Sequence, residues 1–162
     1  MLHIRPMKDT DWASVKHIFQ QGIDTGLASL ETEVGNFEDF NRRYMHACRY
    51  VAVKDGVIAG WAAMYPYSSR LVYRGVVKTS IYMGEAFRGQ RIGEKLLQHL
   101  IISSEQAGFW SLQAYVFPEN IASIRLHEKL GFRKVGFFER IGERKGRWYD
   151  TVILERRSKV VN

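Results

Sequence analysis

The residues best suited to chemistry lie close together in "EAFRGQRIGEKLLQHL", positions 85–100, where Arg88, Gly89, Gln90, Arg91, Ile92, Gly93 and Glu94 open a leucine-rich segment. Glycine carries no Cβ and lets a backbone approach a ligand closely. The first turn of a helix offers N–H groups that have no partner inside the helix and a dipole that favours negative charge. Arginines beside such donors suit a phosphate or pyrophosphate. The spacing is neither GxxxxGK(S/T) nor GxGxxG followed by an acidic ribose ligand, so by motif alone the stretch reads equally as an anion-binding turn and as a basic helix start.

A second cluster lies in "VFPENIASIRLHEKLGFRKVG", with Asn120 at a strand end and Ser123 and His127 on the helix after it. Imidazole can give or take a proton near neutral pH. A third set is dispersed: Lys78 within the strand "GVVKTSIYM", Arg70, Tyr73 and Arg74 in the loop before it, Glu31 after the first helix, and Trp148 and Tyr149 near the end. Paired arginines suit a carboxylate, the aromatics offer apolar walls, and Glu31 and Tyr149 offer polar contacts.

These groups need elements to hold them. "LHIRPM" alternates as a strand, and "DTDWASVKHIFQQGIDTG" places Trp12, Val15, Phe19 and Ile23 at helical spacing behind acidic and hydroxyl capping residues. "NFEDFNRRYMHACR" predicts a second helix, and "YVAVKDGVIAGWAAMYPY" a hairpin turning at Asp55 and Gly56. After the strand of Lys78 comes a helix with Ile92, Leu96, Leu97, Leu100 and Ile101 on one face. "FWSLQAYVF" predicts a strand with Leu112, Ala114 and Val116 on one side, the His127 helix stops at Gly131, and "RKVGFFERIGERKG" and "RWYDTVILERR" are two last strands. The order is strand, two helices, three strands, helix, strand, helix, two strands: a mixed α/β pattern.

At 162 residues, with 46% hydrophobic and 13% aromatic side chains, the chain fits one ordered domain over 1–162. The net charge of +7 favours anionic partners, but the basic residues are mostly scattered, and no helix-turn-helix, zinc-finger or RNP-type pattern supports nucleic acid. The single cysteine, Cys48, excludes an intrachain disulfide and a multi-thiolate zinc site, so no metal is expected. With no apolar leader in "MLHIRPMKDTDW" and no apolar run of spanning length, the expectation is a cytoplasmic chain with no membrane partner.

"RGQRIG" one strand before "NIASIRLHEKLGF" resembles the GNAT superfamily of acetyl-CoA-dependent N-acetyltransferases over nearly the whole chain. "GIDTGLASLETE", "RLVYRGVV" and "GRWYDTVILE" are similar to its phosphinothricin N-acetyltransferase branch. The resemblance implies a central twisted, mostly antiparallel sheet of six to seven strands with a splayed central pair and about four flanking helices. It implies acetyl-CoA as acyl donor, held by the backbone of Ile81, Tyr82 and Met83, by the loop from Arg88 to Glu94, and by Asn120 and Ser123. It also implies a small amino-acid-like amine as acceptor, bound by Glu31, Arg70, Tyr73, Arg74 and Trp148, with His127, Lys78 and Tyr149 as catalytic candidates. Many relatives are dimers, and the aromatic content is compatible with a homodimer.

Two departures stand out. Arg91 replaces the middle glycine of the family loop, and Lys78 stands where the branch commonly has a glutamate base. Three readings of Lys78 stay open: a base of lowered pKa, an anchor for an acidic acceptor, or the mark of an acyl-CoA-binding module with weak or lost catalysis. A protein amine is the alternative acceptor.

Overall fold

A computed structural model of the chain describes residues 1–162. The elements follow the predicted order: β1 (Leu2–Pro6), α1 (Trp12–Asp24), α2 (Phe37–Arg43), β2 (Tyr50–Lys54), β3 (Val57–Pro66), β4 (Val76–Met83), α3 (Ile92–Gln106), β5 (Ser111–Val116), α4 (Ile121–Lys129), β6 (Arg133–Arg144) and β7 (Arg147–Arg157). The strands form one seven-stranded sheet in the order β1-β2-β3-β4-β5-β7-β6, antiparallel throughout except between β4 and β5. The β2–β3 turn has Asp55 and Gly56 both at positive φ, 51° and 82°. That backbone matches the twist of the strands it joins.

Apolar side chains cover both faces. On one, Ile92, Leu96, Leu97, Leu100 and Ile101 of α3 pack on Ala52, Ala62, Met64, Val77, Leu112 and Ala114. On the other, Val15, Phe19 and Ile23 of α1 and Phe40 of α2 pack on Val51, Val53 and Trp61. Each fully buried leucine, isoleucine or phenylalanine contributes about 1.5–3 kcal/mol, so these two layers fix the sheet between the helices.

The second helix is shorter than the pattern predicts. It ends at Arg43, with Tyr44 extended at ψ 138° and Cys48 at φ 57°. The cause is Arg49, 6% exposed, whose guanidinium turns back to donate to the carbonyls of Tyr44 (2.8 Å) and Met45 (3.1 Å) and to Asn41 Oδ1 (2.6 Å). Asp11 also differs from expectation: its carboxylate does not cap α1 but accepts from Arg5 at 2.7 and 2.9 Å and from the Lys8 amide at 2.8 Å.

The feature that shapes the site is the β4–β5 pair. Its parallel register covers only Val76–Ser111, Val77–Leu112 and Lys78–Gln113, after which the two strands diverge. Beyond that point β4 remains paired to β3 as far as Met83, and β5 to β7 as far as Val116. A wedge therefore opens in the middle of the sheet.

Candidate active site

Three connected cavities follow the wedge. The first, about 480 Å³, is lined by Ile81, Tyr82 and Met83 of β4, every residue from Phe87 to Glu94, and Asn120, Ser123 and Leu126 around α4. The second, about 440 Å³, lies across the sheet among Glu31, Arg43, Tyr44, Tyr65, Lys78 and Tyr115. A slot of about 80 Å³, bounded by Thr79, Ser80, Ile81, Tyr82, Tyr115, Asn120, Ser123 and His127, shares walls with both.

The loop from Arg88 to Glu94 has the geometry of an anion cradle. Gly89 has φ 76°, and a Cβ there would meet nothing within 4 Å. Arg91 is the N-cap of α3 at φ 60°, ψ 15°, the left-handed conformation in which a side chain other than glycine is strained. The arginine thus keeps the backbone shape that a glycine would take freely. The amides of Ile92, Gly93 and Glu94 find no acceptor in the preceding turn, and Arg88 and Arg91 are exposed and unpaired. Gln90 instead bonds within the protein, to Lys54 and to the Ala86 carbonyl, and Glu94 pairs with Lys129 at 2.9 Å.

Asn120 is the N-cap of α4, with Oδ1 accepting from the Ser123 amide at 3.3 Å and Nδ2 donating to the Leu27 carbonyl at 3.3 Å. It therefore ties the strand end, the α4 start and the segment after α1 into one wall. Tyr82, whose ring stacks on Trp61 at 5.0 Å, forms the opposite wall, and burial raises its phenol pKa so that it stays protonated.

His127 is 2% exposed, and its ring borders the slot. Nδ1 lies 2.7 Å from the Ser123 carbonyl, which can only accept, so Nδ1 carries the proton. The neutral tautomer leaves the Nε2 lone pair without a partner in the protein. Burial, opposed by the bond to Ser123, pushes the ring's pKa below the ordinary 6.5, so at neutral pH Nε2 is a proton acceptor.

Lys78 lines the second cavity, its Nζ 4.4 Å from the Tyr115 ring centroid and 5.9 Å from that of Tyr65. Burial first, and then the nearby Arg43 charge, lower its pKa. Glu31 is in the same cavity, 3.2 Å from Arg43 Nη1.

The other expected acceptor residues are elsewhere. Arg70 lies over Tyr73 on an exposed turn, Arg74 of the same turn lies over the half-buried Trp110 ahead of β5, and Trp148, 52% exposed, meets Arg140 at the far end of the β6–β7 ribbon. Tyr149 lines none of the three cavities and packs behind Phe117, ring centroids 5.0 Å apart. Sequence reasoning missed Arg43, Tyr44, Tyr65 and Tyr115. The available signal was strand alternation: Lys78 and Ser80 share a β4 face, and the register sets Tyr65 directly opposite Lys78.

A splayed α/β sheet with a turn of unpaired amides and arginines on one side of the break, a mixed polar and aromatic cavity on the other and a buried neutral histidine between them suits group transfer between two substrates. Residues 12–132 match the Acetyltransferase (GNAT) family, and the chain belongs to that family. It is 31% identical over 162 residues to the phosphinothricin N-acetyltransferase of Streptomyces viridochromogenes, covering 96% of this chain and 87% of that one. It is 33% identical over 105 residues to the L-methionine sulfoximine/L-methionine sulfone acetyltransferase of Salmonella typhimurium, covering 65% of this chain and 61% of that one. Among solved structures, a GNAT superfamily phosphinothricin acetyltransferase from Sinorhizobium meliloti in complex with AcCoA superposes with a TM-score of 0.88 at 28% identity, covering 96% of this chain and 88% of that one. No helix of this chain is long and apolar enough to cross a membrane.

Proposed function

We propose that this chain, as one domain over 1–162, transfers an acetyl group from acetyl-CoA to the primary amine of a small amino-acid-like acceptor by direct attack on the thioester. The observation that carries the reading is the pair of cavities meeting at a slot walled by His127.

The residues of the first cavity fit the donor. Unpaired amides at the α3 start and the free charges of Arg88 and Arg91 suit a pyrophosphate, with Gly89, Gln90, Ile92, Gly93 and Glu94 completing the loop. The diverging backbone of Ile81, Tyr82 and Met83 lacks a strand partner toward β5 and suits an extended amide-bearing arm. Asn120 and Ser123 close its far end. Acetyl-CoA supplies the activated acyl group and a thiolate leaving group.

In the second cavity, Lys78 and Arg43 would hold the acceptor's carboxylate, and the tyrosine rings would pack its body. This takes Lys78 as an anchor. An alkyl amine is protonated at neutral pH and must lose a proton to attack. His127 Nε2 takes that proton in our reading. An imidazolium is disfavoured where it is buried, so the ring passes the proton on toward the departing sulfur. Tyr149 acts through Phe117 as a positioning residue. The same reading takes the protein as cytoplasmic. The exposed Phe137 and Trp148 on β6–β7, which line none of the three cavities, support a homodimer, which sedimentation would measure.

The test is a thiol-release assay with acetyl-CoA and a panel of amino acids, methionine sulfoximine and phosphinothricin. Turnover on at least one member is expected. Tight acetyl-CoA binding with no turnover on any amine would overturn the enzyme reading in favour of a binding module.

A further inference from the structure

Lys78 is the only lysine that lines any of the three connected cavities. Its nitrogen makes no ion pair. Two tyrosine faces hold it, and the one carboxylate in the cavity, Glu31, is already engaged by Arg43. Lys78 is also the last β4 residue paired with β5, and the next two, Thr79 and Ser80, line the slot. Tyr115, the ring nearest Nζ, borders both the second cavity and the slot. The amine of Lys78 therefore lies in the second cavity, against a ring that also borders the slot, on the side from which an acceptor amine would enter.

We propose that, when no acceptor occupies the second cavity, Lys78 Nζ itself receives the acetyl group, so that Lys78 is a self-acetylation site. The inference rests on the acetyl-CoA reading above. The Nζ lone pair adds to the thioester carbon, the new C–N bond replaces C–S, and the bonding pair leaves with sulfur. The proton shed by nitrogen goes to that sulfur by way of His127 Nε2 or water. The products are an Nε-acetyl amide and the free thiol of CoA, and no other reactant is needed.

Two influences shift Lys78 toward the neutral amine relative to a free lysine, against the two tyrosine faces, which favour the ammonium. Lys78 faces Arg43, Tyr65 and Tyr115, with Tyr44 and Glu31 farther along the cavity, and burial and Arg43 both disfavour its charge. An acceptor carboxylate would act in the opposite sense, holding Lys78 as an ammonium and shielding it. Once acetylated, the residue loses the charge that our reading uses to grip the acceptor. The modification would thus switch off an enzyme left with donor but no acceptor.

The experiment incubates the full chain with acetyl-CoA alone, follows intact mass and maps the modified peptides. Lys78 is expected to be acetylated about tenfold or more faster than any other lysine, because its reaction is intramolecular within the bound complex. Phosphinothricin or methionine sulfoximine should slow it, and Lys78→Arg should remove the dominant site while still binding acetyl-CoA by calorimetry. Acetyl-CoA binding without modification of Lys78, or acetyl spread evenly over surface lysines, would overturn the inference and leave the proposed function standing. Absence of acetyl-CoA binding would instead bring down the proposed function, and this inference with it.

Discussion

Replacing Arg91 by glycine separates what its backbone does from what its charge does. At φ 60°, ψ 15° a residue with a Cβ carries a strain of about 1–2 kcal/mol, which glycine removes. Glycine's greater freedom in the unfolded chain returns about 0.5–1 kcal/mol. The balance is a stabilisation of about 1 kcal/mol, which raises Tm by roughly 2–4 °C for a chain of this size. Arg91 is exposed, so a contact with an anion at the α3 start is worth about 1 kcal/mol or less at low salt. Its loss should weaken acetyl-CoA binding by roughly fivefold. Calorimetric titration at low and high salt, with a thermal melt of each variant, measures both. The binding difference should vanish at high salt, where exposed charges are screened. A fall in Tm would refute the strain argument, and an unchanged Kd at low salt would show that the guanidinium does not touch the donor.

Three further outcomes follow from the same geometry. His127→Asn should lower kcat by about 10²–10⁴ without changing acetyl-CoA affinity, and in the parent protein kcat/KM should fall as acid protonates a ring whose pKa lies below 6.5; an acid limb above that value would contradict the assignment. Gly60→Ala would set a Cβ 2.5 Å from Met83 Sδ and 2.8 Å from the Tyr82 carbonyl, so a loss of about 1–3 kcal/mol by chemical denaturation and weaker acetyl-CoA binding are expected, the second because Tyr82 and Met83 edge the donor cavity. Asp11→Asn should cost about 1–3 kcal/mol by leaving Arg5 without its counter-charge. The Arg5 hydrogen bond holds the Asp11 carboxyl below its ordinary 3.8, so its stabilisation is present above that pH and lost as pH falls through the lower folded value; the variant's stability should be flatter over that acid range.

The first cavity was legible in the sequence and much of the second was hidden, for a physical reason. Arg88 through Glu94, and Asn120 with Ser123, occupy contiguous stretches whose local geometry, a turn into α3 and a cap on α4, places them together whatever the rest of the sheet does. The second cavity has no such local origin. Arg43 comes from the end of α2, Tyr65 from β3, Lys78 from β4 and Tyr115 from β5, and only the register of the assembled sheet brings them into one space. Loop arginines such as Arg70 and Arg74 attract a sequence reader because their charges suit a carboxylate, but each stacks on an aromatic neighbour away from the cavity. The α2 boundary was hidden for a related reason: a buried arginine six residues beyond the helix end determines where it stops.

Arg91 and Lys78 share one logic. The divergence of β4 from β5 after Lys78–Gln113 leaves backbone groups of both strands without a sheet partner, free to bond a ligand laid along them. In the function proposed above, an acyl donor pairs with those groups on the β4 side, so the sheet's discontinuity would become binding energy where the acyl group is held. The strain in the loop that carries Arg91 fits the same reading, because the left-handed residue there turns the chain from β4 into α3 with its first amides at the first cavity. Lys78 sits where the pairing ends. A carboxylate at that position would repel an acidic acceptor, whereas on our proposal a lysine attracts it as an ammonium and, in its absence, offers its own neutral amine as the nucleophile. The same side chain then governs both which amines enter and what happens when none does. Lys78→Glu should therefore lose preference for acceptors bearing a carboxylate and abolish self-acetylation together. Separation of those two effects in the variant would break the link between them.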